Sequence, residues 1–291
     1  MDNFIVKKQL EEIGVETFWD EKRGLVGMIR GNHPGKCILL RADMDGLPIQ
    51  EESQSDYMST RSGKMHACGH DAHTAWLIGA AEILVNRKDE IYGNVKFAFQ
   101  PCEEGEGSPG AREMIDAGIL NNPPVEVAVA AHVSPDIQSG KYSVEEGGVT
   151  TAPGIFTIRV YGKGGHAAKP EGCVDPILVM NQIYNGISTL LRVTLSPAHK
   201  AVISVTKMEA GHTFNVIPEN GTMIGTIRTF HKKETKLLAE KIKKISEEVG
   251  TAFGAEVVCE YKIPIGAAIN EGNVVSKVRE TIRKVLDEKA L

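Results

Sequence analysis

Two kinds of hydrophobic pattern follow each other along the chain, and the change lies near Gly154. Before that residue, short and almost continuously apolar runs alternate with helix-like segments, which is typical of parallel strands covered by helices. The predicted strands are Leu25–Arg30, Cys37–Arg41, Val95–Phe99 and Val127–Ala131, and the predicted helices are Thr74–Val85 and Ala111–Asp116. The first half of the chain is therefore predicted to be an α/β domain with a mainly parallel sheet.

After Gly154 the apolar and polar residues alternate, as in Ile155–Tyr161, which indicates a strand with one solvated face. The elements that follow have the order βαββαβ, which is the ferredoxin-like unit. They are predicted at Ile155–Tyr161, Pro176–Arg192, Ala201–Glu209, Met223–Phe230, Glu234–Val249 and Glu256–Ile263, with a last helix over Asn273–Glu288. We therefore expect three regions: 1–153, the first part of the α/β domain; 154–265, an inserted domain; and 266–291, an incomplete return into the α/β domain.

Composition and charge narrow the class of protein. The 291 residues suffice for two domains with cores of their own. The formal net charge of −5 and the lack of a long Lys/Arg run argue against nucleic acid or an acidic membrane as a partner, and no apolar run is long enough to cross a bilayer. The five cysteines are widely spread without a CxxC pair, which argues against a disulfide scaffold and favours the reducing cytoplasm.

Side chains that could bind a metal follow the predicted strands, at the point where each strand ends. The carboxyl ends of parallel strands meet at one edge of a sheet, where α/β proteins bind their ligands. Together with a Cys–His pair before the first long helix, these residues are Asp43, Asp45, Cys68, His70, Glu103, Glu104 and His132. Thiolate and imidazole are good zinc ligands, and clustered carboxylates repel each other without a cation. The set therefore favours a metal-dependent hydrolase.

Each of these features also has a simpler structural explanation. Asp43 and Asp45 could belong to an ordinary loop, and Cys68 could be a small core residue. The Glu103–Glu104 pair could be a solvated turn, and His132 could be a hydrogen-bonded core histidine. The metal-site interpretation depends on the coincidence of all four features at one predicted sheet edge.

Seven short blocks resemble the signature sequences of a known enzyme family. They are Arg41–Pro48, His66–Asp71, Gln100–Gly105, Ala131–His132, Gly162–Pro170, Gly211–Glu219 and Gly225–Arg228. These blocks are similar to those of the M20 metallopeptidases. Cys68, where other branches have Asp, points to the aminoacylase-like amidohydrolase branch, which includes hippurate hydrolase, N-acyl-amino-acid amidohydrolases and auxin-conjugate hydrolases.

The resemblance implies a two-metal centre in which Glu103 is the general base and acid. The implied ligands of two divalent ions (zinc, manganese or cobalt) are Cys68, His70, Glu104 and His132. Asp43, and more weakly Asp45, would steady the site as carboxylates beside the ligands. The implied reaction is hydrolysis of the amide bond of a small N-acyl amino acid by a metal-activated water.

The resemblance also implies that the second domain acts as a lid. His166 would contact the reacting carbonyl, and Asn215 and Arg228 would hold the carboxylate of the substrate. In relatives the corresponding histidine sometimes enters the site of a partner subunit, so the resemblance also implies a homodimer formed through the lid domain. Without the resemblance, Gly164–His166 would be read as a flexible turn between a strand and a helix.

The chain departs from the family pattern in two places. The family supplies a further metal-ligating histidine near its C-terminus, whereas the last histidine here is His231, within the second domain. The usual opening helix with its Pro-Glu motif is absent as well, so we expect a chain truncated relative to the family, above all at its C-terminus. Two alternatives therefore stay open: an aminopeptidase or dipeptidase of the same family, and a catalytically impaired metal-binding fragment.

Overall fold

The structure is a computed structural model that describes residues 3–18, 24–104, 110–196 and 199–291. It divides into two compact units, Met1–Ser139 and Gly140–Leu291. Gly105, which ends one of the sequence blocks, lies outside the described residues. The predicted division of the chain at residues 153 and 265 stays a prediction, and both positions fall inside the second unit.

The first unit is a mixed five-stranded sheet covered by helices. Its elements are α1 (Asn3–Glu12), β1 (Glu16–Phe18), β2 (Leu25–Arg30), β3 (His33–Asp43), α2 (His70–Val85), a 3-10 helix (Lys88–Glu90), β4 (Tyr92–Gln100), α3 (Gly110–Asp116) and β5 (Val125–Ala130). The strand order is β1-β2-β4-β3-β5. β3 is parallel to β4 and β5, whereas β2 is antiparallel to β1 and β4. The predicted α/β class is confirmed, and β4-β3-β5 is the parallel part of the sheet.

Burial on both faces explains the nearly continuous apolar run of β4. Phe97 and Phe99, on one face, share a core with Leu10 of α1 and Leu77 of α2. Ala98, on the other face, belongs to a second core that includes Met114 of α3. Because successive side chains of a strand point to opposite faces, a strand covered on both sides favours apolar residues at consecutive positions. The exception in this run is the buried Lys96, whose Nζ donates to three backbone oxygens.

The structure differs from the prediction at two helices. An opening helix, which the sequence pattern predicted to be absent, is present as α1, without the Pro-Glu motif. Only Val6 and Leu10 of α1, one helical turn apart, are fully buried, so the helix gives a very short periodic signal. α2 begins at His70 rather than at Thr74. Its first turn buries the polar side chains of His70 and His73, which do not contribute to an apolar pattern.

The second unit contains the predicted βαββαβ order. Its elements are β6 (Gly147–Gly148), β7 (Ala152–Tyr161), β8 (Gly165–His166), a 3-10 helix (Pro170–Gly172), α4 (Pro176–Thr194), β9 (Ala201–Ala210), β10 (Val216–Ile217), β11 (Asn220–Thr229), α5 (Lys232–Phe253), β12 (Glu256–Lys262), β13 (Ile269–Asn270), α6 (Gly272–Val285) and a 3-10 helix (Glu288–Ala290). Its main sheet has the order β12-β7-β11-β9 and is antiparallel throughout. This is the strand order of the ferredoxin-like fold.

The core of the second unit lies between this sheet and the helices α4 and α5. Phe156 and Ile158, on one face of β7, are fully buried together with Ile183 of α4 and Ile242 of α5. The apolar residues of both helices recur at helical spacing, so each presents one apolar stripe to the sheet. Among the described residues, no helix combines the length and the apolar character that a membrane span requires.

The two ends of the second unit contact each other. β6 pairs with β13, with Gly148 opposite Ile269, and the backbone N–H of Tyr142 donates to the backbone oxygen of Ala290 at 2.7 Å. The segment 266–291 therefore packs against residues 140–150 within the second unit. Its expected return into the first domain stays a prediction.

Candidate metal centre

The parallel strands of the first unit bring the predicted side chains to one edge of the sheet. Asp43 is the last residue of β3 and Asp45 follows it, while Glu103–Glu104 follow β4 and His132 follows β5. Cys68 and His70 flank Gly69, which precedes α2 in a left-handed conformation with φ 84°. A residue with positive φ is most easily a glycine, and it lets the chain turn so that both neighbours reach the same place.

His70 is the common member of three groups of possible ligand atoms. In each group, one nitrogen, sulfur or oxygen atom per residue lies within 4.8 Å of the others. The groups are Cys68, His70 and His132; His70, Glu103 and Glu104; and Asp43, His70 and His73. The structure therefore assembles the other three predicted ligands and Glu103 around His70, and their metal-binding roles stay predictions.

Asp45 determines which ring nitrogen of His70 carries the proton. Nδ1 of His70 lies 3.0 Å from the backbone oxygen of Asp45 and 3.1 Å from its Oδ1. Both oxygens accept hydrogen bonds and neither donates, so Nδ1 is the donor. The lone pair of the neutral ring is therefore on Nε2.

The Nε2 atom of His70 fits a metal better than it fits any group of the protein. It is buried and has no hydrogen-bond partner among the described residues. Oδ1 of Asp43 and Oε1 of Glu104 lie 3.7 Å and 3.9 Å from it, too far for a hydrogen bond. A lone pair that faces two carboxylates is repelled unless a cation lies between them. Imidazole nitrogen and carboxylate oxygen are both common ligands of divalent metals.

Cys68 and His132 extend this donor set. Nδ1 of His132 donates to the backbone oxygen of Val133 at 2.6 Å, so its Nε2 carries the lone pair of the ring and accepts a hydrogen bond from the Cys68 thiol, whose Sγ lies 3.4 Å away. Burial, together with the hydrogen bond and the charge of Glu104, raises the pKa of the Cys68 thiol to about 11. A bound cation would reverse this shift because it stabilises the thiolate.

Asp45 and Asp43 have different partners. Oδ2 of Asp45 accepts the backbone N–H of Glu104 at 2.9 Å, so Asp45 contacts two of the predicted ligands directly. Asp43 instead accepts a hydrogen bond from Arg41 at 2.6 Å and another from His73. Burial alone would raise the pKa of Asp43, but the His73 hydrogen bond and the Arg41 charge outweigh it and lower the pKa.

Glu103 has the electrostatic environment of a proton carrier. Partial burial raises the pKa of its carboxyl, and the neighbouring charge of Glu104 raises it further. A carboxyl whose pKa lies above its usual range can take up and release a proton closer to neutral pH.

The structure adds His73, which the sequence analysis did not select. Its Nδ1 donates to Oδ1 of Asp43 at 2.6 Å, and its Nε2 accepts the N–H of Val133 at 2.9 Å. Both ring nitrogens are thus engaged, so His73 is not available as a ligand although it lies close to His70. Burial lowers the pKa of His73, in agreement with a neutral ring. The signal in the sequence is the spacing of three residues from His70, which places both rings on one face of a helix.

In the second unit, the structure brings together two of the three predicted lid residues. His166 on β8 lies opposite Val216 on β10, and the N–H of Ala167 donates to the backbone oxygen of Asn215 at 3.0 Å. Arg228 lies on β11, eight residues beyond Asn220 at the start of that strand. Eight residues of strand span roughly 27 Å. Arg228 therefore lies near the C-terminal end of β11, far along the strand from Asn220.

Comparison with known proteins identifies the family. Residues 39–290 match the family described as peptidase family M20/M25/M40. This chain belongs to that family. The N-acetylcysteine deacetylase of Bacillus subtilis (strain 168) is 35% identical over 282 residues, which cover 97% of this chain and 72% of the relative. Thermostable carboxypeptidase 2 of Saccharolobus solfataricus is 37% identical over 290 residues, which cover 97% of this chain and 72% of that protein.

A solved structure of the M20 family has the same fold. It is the YXEP protein of Bacillus subtilis, described as a dinuclear metal binding peptidase, and it matches with a TM-score of 0.81 and 33% identity. The match covers 97% of this chain and 73% of the solved chain. The prediction of an M20 hydrolase that binds metal is therefore confirmed.

Proposed function

We propose that this M20 protein is a metal-dependent amidohydrolase that cleaves the amide bond of N-acyl amino acids. The observation that carries the proposal is the buried, unpartnered Nε2 of His70, which lies among thiol, imidazole and carboxylate groups. Glu103 lies beside it with a raised pKa. Such a site combines metal ligands with a group that can move a proton, which is what hydrolysis of an amide requires.

We propose two divalent ions as the cofactor. Their ligands would be Cys68, His70, Glu104 and His132, and the description of the solved relative as dinuclear supports the number. Zinc, manganese and cobalt all accept this mixture of sulfur, nitrogen and oxygen donors. When bound, such ions lower the pKa of water toward neutrality and polarise a carbonyl group.

Glu103 is proposed as the general base and then the general acid. Its free carboxylate oxygen would accept the proton of the attacking water and later deliver it to the nitrogen of the leaving amine. Glu104 would keep a separate role, because its backbone N–H is held by Oδ2 of Asp45 and its carboxylate oxygen lies near Nε2 of His70. Two adjacent glutamates can then divide proton transfer and metal binding between them.

The second domain is proposed to act as a lid that binds the substrate. His166 would donate a hydrogen bond to the reacting carbonyl oxygen, and Asn215 and Arg228 would hold the substrate carboxylate. The adjacency of His166 and Asn215 supports a shared role for these two. The exposed guanidinium of Arg228 suits a carboxylate, since it can form two parallel hydrogen bonds with it.

The proposed substrate class follows from the names of the two relatives. One is an N-acetylcysteine deacetylase and the other is a carboxypeptidase. An N-acyl amino acid and the C-terminal end of a peptide share one half, an amino acid with a free carboxylate on the amine side of the cleaved amide. We infer that this chain recognises that half. Cleavage of peptides at their C-terminus is the second candidate function, favoured by the carboxypeptidase relative.

Metal analysis together with a substrate panel tests these proposals. The panel contains N-acetyl- and N-benzoyl-amino acids, an N-blocked peptide with a free C-terminus, a free dipeptide, and an N-acetyl amino acid amide without a carboxylate. We expect bound divalent metal, hydrolysis of the N-acyl amino acids, and little hydrolysis of the amide. The amide is the matched control, because it keeps the acyl group and the scissile bond.

Each of the other outcomes indicates a different function for this chain. Preference for the N-blocked peptide would make the chain a carboxypeptidase, and preference for the free dipeptide would make it an aminopeptidase or dipeptidase. Bound metal without turnover of any substrate would indicate a metal-binding chain without catalysis. A chain that binds no metal would refute the proposed ligand set.

We also propose that the chain forms a homodimer through its second domain. β9 is one of the two edge strands of the four-stranded sheet, so one of its sides carries backbone groups without a strand partner in that sheet. Such an edge can pair with the same edge of another copy. Sedimentation velocity over a range of concentrations measures the mass. A monomer at every concentration contradicts the dimer.

The proposed location is the cytoplasm. All five cysteines are free thiols in the structure, including the exposed Cys102. A reducing compartment keeps thiols in this form. Alkylation in intact cells followed by mass spectrometry should find them reduced, and a disulfide in freshly quenched cells would argue against the cytoplasm.

A further inference from the structure

We propose that His73 is a positioning residue that fixes the orientation of the predicted ligand His132 through the backbone of Val133. This inference depends on the proposed function only in taking His132 as a metal ligand. The hydrogen bonds among the three residues belong to the protein itself and are measurable without metal.

The ring of His73 is held in one orientation from one side of the site. Its Nδ1 donates to Oδ1 of Asp43 at 2.6 Å, and Oδ2 of Asp43 accepts from Arg41 at 2.6 Å. Nε of Arg41 in turn donates to Oε1 of Gln100 at 2.8 Å. This chain of hydrogen bonds joins the ends of β3 and β4 to α2, so His73 has little freedom to rotate.

Val133 connects the fixed ring to His132. The N–H of Val133 donates to Nε2 of His73 at 2.9 Å, and its backbone oxygen accepts from Nδ1 of His132 at 2.6 Å. The rings of His73 and His132 lie 4.5 Å apart, centre to centre. The backbone of Val133, in the segment after β5, is thus held by His73 and in turn holds the ring of His132. The Nε2 of His132, which carries the lone pair of the ring, is thereby directed toward Sγ of Cys68, 3.4 Å away.

The side chain of Val133 is positioned by a second, independent contact. A Cβ atom built at Gly69 would lie 2.3 Å from Cγ2 of Val133 and 3.8 Å from Nε2 of His73. Val133 therefore packs directly on the turn between Cys68 and His70. A shift of Val133 would change the distance between His132 and the other two predicted ligands of that group.

Two substitutions at position 73 separate the two hydrogen bonds of the ring. The amide nitrogen of Asn in His73→Asn reaches the position of Nδ1 and can donate to Asp43, but its side chain is too short to accept from Val133. The amide oxygen of Gln in His73→Gln reaches the position of Nε2 and can accept from Val133, but the hydrogen bond to Asp43 is lost. Both variants are uncharged and smaller than His, so each is the control for the other.

Cobalt titration of the metal-free protein is the first measurement. The thiolate-to-cobalt absorption band reports the ion bound to Cys68, and its concentration dependence gives the affinity. We expect His73→Asn to weaken binding about tenfold or more, the range typical of residues that orient a ligand histidine. His73→Gln should stay within about threefold of the wild type, because it keeps the contact that orients His132. Equal loss in both variants, or a greater loss in His73→Gln, overturns the proposal.

Nuclear magnetic resonance of the metal-free wild type is the second measurement, and it needs no substitution. We expect the proton of His73 and of His132 to be on Nδ1, and we expect the amide proton of Val133 to exchange slowly with solvent. A wild type with the proton of His73 on Nε2, or with a rapidly exchanging Val133 amide, overturns the proposal even if both variants unfold. If the wild type binds no cobalt but shows these signals, the metal site is refuted while the positioning contact stands.

Discussion

The backbone oxygen and the carboxylate of Asp45 both face Nδ1 of His70, at 3.0 Å and 3.1 Å. The other carboxylate oxygen of Asp45 accepts the N–H of Glu104 at 2.9 Å. One acidic residue in the loop after β3 therefore sets the ring orientation of one predicted ligand and the backbone position of another. The family resemblance implied only a weak supporting role for Asp45, whereas the structure gives it more contacts with predicted ligands than Asp43 has.

Substitution of Asp45 should therefore weaken metal binding. In Asp45→Asn, one of the two side-chain acceptors becomes an amide donor, so either Nδ1 of His70 or the N–H of Glu104 loses its carboxylate partner. We expect the affinity for a divalent metal to fall about 10–100-fold. Competition with a coloured chelator measures it. Asp89→Asn is the control, because Asp89 precedes β4 at the opposite end of that strand; an equal loss there would mean that net charge alone is responsible.

Substitution of Glu103 should lower turnover, whereas substitution of Glu104 should lower metal binding. Glu103→Gln keeps the shape of the side chain but cannot accept the proton of the attacking water. We expect turnover to fall by about 10²-fold or more while metal content is unchanged. Glu104→Gln should instead lose metal, because a neutral amide is a weaker ligand than a carboxylate. Full activity in Glu103→Gln would remove Glu103 from the mechanism.

Gly69 should tolerate no side chain. Its φ of 84° is in the left-handed region, and a Cβ there would lie 2.3 Å from Cγ2 of Val133. Gly63 has a similar φ of 70° and nothing within 4 Å of such a Cβ, so Gly63→Ala isolates the backbone strain of about 1–2 kcal/mol. We expect Gly69→Ala to destabilise the protein more than this in urea unfolding and also to weaken metal binding. Equal effects of the two substitutions would show that Val133 moves aside freely.

Lys96 should be important for stability although it has no proposed role in the chemistry of the site. It is 4% exposed, and its Nζ donates to the backbone oxygens of Ile119, Asn121 and Pro123 at 2.8, 2.6 and 2.9 Å. Lys96→Met keeps the length of the chain but leaves these oxygens without their donor. We expect the free energy of unfolding to fall by about 3 kcal/mol.

The matched control for Lys96 is Lys36→Met on β3, whose side chain is 79% exposed. An exposed substitution of this kind changes stability by about 0.5 kcal/mol or less. Urea unfolding of both variants at neutral pH measures the difference. Similar stabilities would indicate that water replaces the lysine at the three backbone oxygens.

The same lysine should contribute a specific pH dependence. Burial lowers the pKa of Lys96 from its ordinary value of 10.5, so the unfolded chain holds this proton more tightly than the folded chain does. Between the two pKa values the unfolded state binds more protons, and stability therefore rises with pH in that interval. We expect the stability difference between the wild type and Lys96→Met to grow with pH there. A difference that shrinks instead would mean that the pKa is raised, not lowered.

The sequence by itself determined the secondary-structure elements and the candidate metal-binding residues at the carboxyl edge of the parallel sheet. A nearly continuous apolar run located β4, which is buried on both faces. Apolar periodicity located the βαββαβ order of the second unit, because a strand or helix that buries one face repeats its apolar residues with the period of that element. Strand ends located Asp43, Glu103–Glu104 and His132, because parallel strands deliver their carboxyl ends to the same edge. These are local properties, and each can be recognised in a short window of residues.

Only the tertiary structure decided which histidine ring nitrogens are available to bind a metal. The proton on Nδ1 of His70 depends on Asp45, 25 residues away, and the acceptor role of His73 depends on Val133, 60 residues away. A histidine in the sequence has two equivalent possibilities, and the choice between them is made by a partner that the fold brings within hydrogen-bond distance. The pattern of residues could therefore propose a metal site, whereas the long-range hydrogen bonds separate His70, whose Nε2 is free, from His73, whose two nitrogens are both occupied.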